Sequence, residues 1–211
     1  MKKIIILVFA LFLNFLALAQ ESREMLNVNV KTQKDAERVE KLNLESIEKF
    51  RKLAETDPDA YLPELSVYLN NLASIYSKQE RFQESEAKYL EALEVDKTLA
   101  KKYPKTYEFD VVIDMTNIAL LYQKTNRLKE AENYYEQSLN RLRKISQQYP
   151  NKFEAHLSVL LNNMAILYQN QEKYEQAEKY YLETFRFFVL VHLLSKEKLS
   201  SFLILLSNFT N

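Results

Sequence analysis

Side chains suited to acid–base, nucleophilic or metal chemistry are few in this chain and poorly placed for it. The only two histidines are His156 and His192. His156 opens a helical pattern and His192 lies in an apolar stretch of different character, so they form no shared metal site, and each reads as a solvated or tail histidine. The close carboxylate pairs, Glu84/Glu86 and Glu130/Glu132, have a spacing of two, which puts their members on different sides of a helix. With no cysteine, thiolate ligands, thiol nucleophiles and disulfides are excluded. With no glycine, phosphate-cradling loops and nucleophile elbows lose the backbone freedom they require. No Ser-His-Asp or Cys-His set has a suitable context. The expectation is a chain without catalysis, metal, cofactor or small-molecule substrate. A formal net charge of zero supplies no field towards nucleic acid.

What does recur is an amide. Asn71, Asn117 and Asn163 open three copies of one pattern, NLASIYSKQERFQESEAKYLEAL, NIALLYQKTNRLKEAENYYEQSL and NMAILYQNQEKYEQAEKYYLETF, each 46 residues after the last. Pro58, Pro104 and Pro150 keep the same interval. Self-similarity at a fixed period marks a stacked repeat array, not a single globular core. Such an array is built for binding partners.

The elements that carry those amides follow from the apolar spacing. Leu69, Leu72, Ala73 and Tyr76 fall at i, i+3, i+4 and i+7, one face of a helix. Met115, Ile118, Ala119, Tyr122 and Leu161, Met164, Ala165, Tyr168 repeat that face. A second helix in each copy carries Phe82, Ser85, Tyr89, Ala92, Leu93, then Leu128, Ala131, Tyr135, Ser138, Leu139, then Tyr174, Ala177, Tyr181, Thr184, Phe185. Helices are expected to end near each proline, because proline biases the residue before it away from helical geometry. The fold class is therefore all-α, an α-solenoid of antiparallel helix pairs. The divisions are an N-terminal half-repeat or cap over 24–58, repeats over 61–104, 107–150 and 153–194, and an atypical apolar tail over 195–211. One helix pair cannot bury its apolar face alone, and about three are needed.

The motifs LNNLA…Y and EAE..Y..AL resemble tetratricopeptide repeats, in the long, kinesin-light-chain-like variety. The family's small residue on the first helix corresponds to Ala73, Ala119 and Ala165, and its second-helix small residue to Ser85, Ala131 and Ala177. Its aromatic corresponds to Tyr89, Tyr135 and Tyr181. Departures are the missing tryptophan, the turn glycine replaced by Glu80, Asn126 and Glu172, and a period about three helical turns longer than the usual 34 residues. The resemblance implies a superhelix, and asparagines at this place that hold peptide ligands.

In such stacks the first helices line the concave face. On them, Val67, Asn71, Ser74 and Lys78 form a stripe beside the packed face, continued by Ile113, Asn117, Leu120, Lys124 and by Val159, Asn163, Ile166, Asn170. Mid-helix asparagine costs up to ~0.7 kcal/mol against alanine, so three in phase suggest an offsetting interaction. One reading is a bond to the main chain of an extended peptide, since an amide is donor and acceptor together. The other is a bond to a neighbouring helix within the stack. Lys78 and Lys124 read as solvated, with attraction for an acidic group as the alternative.

The two ends carry their own expectations. Lys2, Lys3, an apolar run and Ala17-Leu18-Ala19 form the three parts of a signal peptide over 1–19. Cleavage near Ala19 would export the protein to a periplasmic or extracellular space. After Phe185 the phase is lost in FRFFVLVHLLSK and LSSFLILL. That points to a gene end altered by a frameshift or truncation, against an unusual helix buried on the last repeat or an oligomer contact. The functional expectation is a non-enzymatic scaffold that binds a peptide segment of a protein partner in its concave groove. The alternatives are a sensor fragment of an envelope signalling protein, or self-association through the C-terminal end.

Overall fold

The computed structural model describes residues 33–149 and 152–192, with side chains placed for 36–149 and 152–185. The expected signal peptide, Pro150, the side chain of His192 and the tail from Arg186 lie outside the described side chains. Seven helices follow one another among the described residues: α1 Gln33–Ala54, α2 Pro58–Lys78, α3 Phe82–Lys102, α4 Pro104–Lys124, α5 Leu128–Gln148, α6 Glu154–Asn170 and α7 Tyr174–His192. Each packs on the helix before and the helix after it, in the order of the chain. The fold is an all-α solenoid of antiparallel helix pairs.

The prolines start helices instead of only ending them. Pro58 and Pro104 are the first residues of α2 and α4, three residues before the expected repeat starts. A first-turn position needs no N–H and suits proline's fixed φ, so the residue that closes one pair opens the next. Asp57 caps α2 by accepting a hydrogen bond from the Ala60 N–H at 3.2 Å. The third pair differs. α6 begins only at Glu154 and is 17 residues long where α2 and α4 have 21.

Inside each pair the turn is a left-handed one, made without glycine. Glu80, Asn126 and Glu172 have φ of 62°, 60° and 60°. The next residue's N–H reaches back five residues to close the helix: Arg81 to Tyr76 O at 2.9 Å, Arg127 to Tyr122 O at 2.8 Å, Lys173 to Tyr168 O at 2.9 Å. The side chains repeat this partnership. The Arg81 and Arg127 guanidinium groups each lie 4.0 Å from the ring centres of Tyr76 and Tyr122. Both also bond a glutamate of the preceding pair, Arg81 to Glu40 Oε1 at 2.8 Å and Arg127 to Glu86 Oε2 at 2.6 Å. Lys173 does the same less closely, 3.4 Å from Glu132 Oε2. Glu84 and Glu130 pair with Arg81 and Arg127 inside their own repeat. All four carboxylates that raised the question of a catalytic pair are thus engaged structurally, Glu86 and Glu132 between helix pairs and Glu84 and Glu130 at the start of their own helices.

The expected first-helix face is fully inside: Leu69, Leu72 and Ala73 are 0% exposed, as are Ile118, Ala119, Leu161, Met164 and Ala165. The small second-helix residues Ser85 and Ala131 are also 0% exposed, and they let α3 and α5 approach their partners. The Ser85 hydroxyl donates to Ala73 O at 2.8 Å. Tyr174 departs from the expected core, being 65% exposed. Its counterparts Phe82 and Leu128 pack against the core, and Phe82 meets Lys124 of the following pair. Among the described residues no following pair covers Tyr174.

Candidate functional site

The first helices of all three pairs, α2, α4 and α6, face one recess of about 790 Å³. Its walls bring together six of the residues singled out by spacing: Ser74, Lys78, Asn117, Leu120, Lys124 and Asn170. Val67, Ile113 and Val159 are exposed at 54%, 40% and 41%, an apolar ladder one turn before the asparagines. Asn71 is exposed, Asn163 and Ile166 are half-buried, and these three do not line the recess itself.

The asparagine side chains settle one alternative. Among the described residues, Asn71, Asn117 and Asn163 make no side-chain hydrogen bond, so they do not tie one helix of the stack to the next. Inter-helix amide bonds are made instead by their neighbour: Asn70 Nδ2 donates to Asp114 Oδ1 at 2.7 Å. The donors and acceptors of the three in-phase amides are not used among the described residues.

The lysines are less simply solvated than their sequence suggests. Lys124 Nζ donates to Ser77 O at 2.7 Å, in the last turn of α2, and lies 5.0 Å from the Phe82 ring centre. A cation is favoured there, beside carbonyls that have no further helical turn to receive. Two of its three N–H donors are left for other acceptors.

Residues that spacing had assigned only to packing also reach this surface. Tyr89 lines the recess, and its phenol hydrogen-bonds Ser74. Burial is the main reason its pKa is raised, so it stays a neutral donor. The equivalent phenols of Tyr135 and Tyr181 donate to Gln123 Oε1 at 3.0 Å and Gln169 Oε1 at 2.7 Å. Gln123 and Gln169 share a phase, 46 residues apart, and that was the available clue; the first copy has Ser77 at their place, and its phenol, Tyr89, meets Ser74 instead. His156, in the first turn of α6 and away from the recess, is exposed, yet its ring stands edge-on to Phe109 at 4.7 Å, and burial lowers its pKa. Among the described residues no group of three or more metal-ligating side chains gathers, and no helix is long and apolar enough to cross a membrane.

Comparison with known proteins agrees with this architecture. Two tetratricopeptide repeat profiles match, one over residues 64–144 and another over residues 159–188. Among solved structures, the crystal structure of BtubC (BKLC) from P. vanneervenii is similar, with a TM-score of 0.58 and 27% sequence identity. The similarity covers 79% of this chain and 62% of that one, so the chain spans less than two thirds of the BtubC structure. No curated protein is significantly similar. Helix pairs that return in phase, small residues where helices touch and a left-handed turn inside each pair have one common source, and the chain belongs to the tetratricopeptide repeat family.

Proposed function

We propose that this protein binds an extended peptide segment of another protein along the recess between α2, α4 and α6, without catalysing a reaction. Tetratricopeptide repeats generally mediate protein–protein interaction and serve as non-catalytic scaffolds. The observation that carries the peptide reading is the set of three in-phase amides, Asn71, Asn117 and Asn163, with no side-chain hydrogen bond among the described residues. A repeated amide can bond main-chain N–H and C=O groups at intervals along one strand. The exposed Val67, Ile113 and Val159 supply apolar contact beside it. Export through residues 1–19 is part of the same proposal and would place the binding event outside the cytoplasm.

A random peptide display library panned on the purified protein tests the reading. Peptides that bind the wild type are expected to lose at least tenfold in Kd, about 1.4 kcal/mol, on the Asn71→Ala/Asn117→Ala/Asn163→Ala variant. Circular dichroism should show that variant still folded. Peptides that bind both proteins equally would remove the groove from the proposal.

A further inference from the structure

The second helix of one pair and the first helix of the next meet through a position that changes character once along the array. At the first junction it is filled by Phe50 and Tyr68, whose rings stack at 5.4 Å. At the third junction the equivalents are Leu142 and Leu160, exposed by only 1% and 2%. At the middle junction they are Asp96 and Asp114, exposed by 4% and 1%. Ser66 Oγ donates to Asp96 Oδ2 at 2.6 Å, and Asn70 Nδ2 donates to Asp114 Oδ1 at 2.7 Å. Asp114 Oδ2 is buried and has no hydrogen-bond donor among the described residues. The Asp96 and Asp114 carboxyl groups are neighbours, and two carboxyl groups can bond only when one of them carries a proton.

We propose that the Asp96–Asp114 pair is a proton-controlled joint: sharing a proton, it locks α2 and α3 onto α4, and on losing it the junction loosens and the spacing of Asn71 from Asn117 changes. The groups facing the pair supply no compensating charge. α2 contributes Ser66 and Asn70, both neutral; α3 adds Tyr89, a neutral phenol; α4 adds Asp110, a further carboxyl. None of the three aspartates forms an ion pair among the described residues. Burial and mutual repulsion therefore both favour the protonated form, as for any two carboxylates confined to one dry site. The joint also lies where the apolar core is divided. Ser66 and Asn70 interleave with Leu65 and Leu69 of an N-terminal cluster, and Asp114 with Val111 and Met115 of a larger C-terminal one.

The direction follows from linkage. Burial raises the pKa of both aspartates in the folded chain. Their contribution is fully present below the ordinary aspartate value of about 4 and is lost as pH rises through the folded value. One linked proton changes the opening constant by up to about tenfold per pH unit.

Hydrogen–deuterium exchange across pH, corrected for the intrinsic pH dependence of the chemistry, tests the joint. The wild type should lose up to about tenfold in protection of α3 and α4 amides per pH unit above the ordinary aspartate range. Asp114→Asn should flatten that slope, and amides of α6 should show none in either protein. A second variant, Asp96→Leu/Asp114→Leu, copies the third junction of this array; it should also be flat, and should melt above the wild type at pH 8. Asp110 is kept in both variants, so any slope of its own cancels in the comparison. A wild-type slope equal to that of the variants, or spread evenly into α6, would overturn the proposal.

Discussion

The phenol of Tyr122 donates to Glu86 Oε1 across 2.7 Å, tying the first helix of one pair to the second helix of the pair before it. Tyr168 repeats the bond to Glu132 at 2.8 Å, and Tyr76 hydrogen-bonds Glu40. Each glutamate also receives the basic residue that follows the turn, so one carboxylate reads two residues of the neighbouring pair at once. Burial and the glutamate bond together raise the pKa of Tyr122, which keeps its phenol a donor. Apolar surface would let the pairs slide. These contacts fix their register.

A double-mutant cycle with Tyr122→Phe and Glu86→Gln should show a coupling of roughly 0.5–1.5 kcal/mol in urea unfolding. Glu178 holds the same register on α7, exposed and with no partner among the described residues. Glu178→Gln should leave the unfolding midpoint unchanged, whereas Glu86→Gln and Glu132→Gln lower it.

Left-handed backbone at a residue with a Cβ is unfavourable by roughly 1–2 kcal/mol. Glu80→Gly and Glu172→Gly should therefore each stabilise the fold by about 1 kcal/mol, read from thermal melts. Asn126→Gly should gain less, because asparagine tolerates this conformation better.

Ala131 is enclosed completely between α4 and α5. Ala131→Leu should cost roughly 1–3 kcal/mol through overpacking. Ser85→Ala should cost about 1 kcal/mol, since it gives up a buried bond to Ala73 O while keeping the volume.

The groove asparagines should behave in the opposite sense. Because their side chains make no hydrogen bond among the described residues, replacing all three by alanine should hold or raise stability, by up to roughly 2 kcal/mol at the helix-propensity limit. A large loss of stability on urea unfolding would mean that the amides serve the stack after all.

The paired helices and their buried face were legible in the sequence because Leu69, Ala73, Tyr76 and their counterparts recur at both the helical and the 46-residue period. The αL turns were half legible: the position of the absent glycine was evident, but not that Glu80 and Glu172 would adopt its conformation anyway. Clamps such as Tyr122–Glu86 could not be read from one repeat, because their partners lie on different repeats and each residue alone looks like core or solvated charge. The Asp96–Asp114 pair was missed for a related reason. Each occurs once, against aromatic or leucine equivalents, and a search for what repeats passes over it. Six of the expected groove residues share the recess, while Asn71 and Asn163 flank it, since helical spacing gives the face of a helix but not how far the stack curves around it.

α6 starts late, and α5 and α6 are the least extensively joined neighbours among the described helices. Stretched between its ends, the molecule should part there before anywhere else, shedding α6 and α7 as one piece while α1 to α5 hold. A pulling experiment should then record two unequal rupture steps, the smaller coming first.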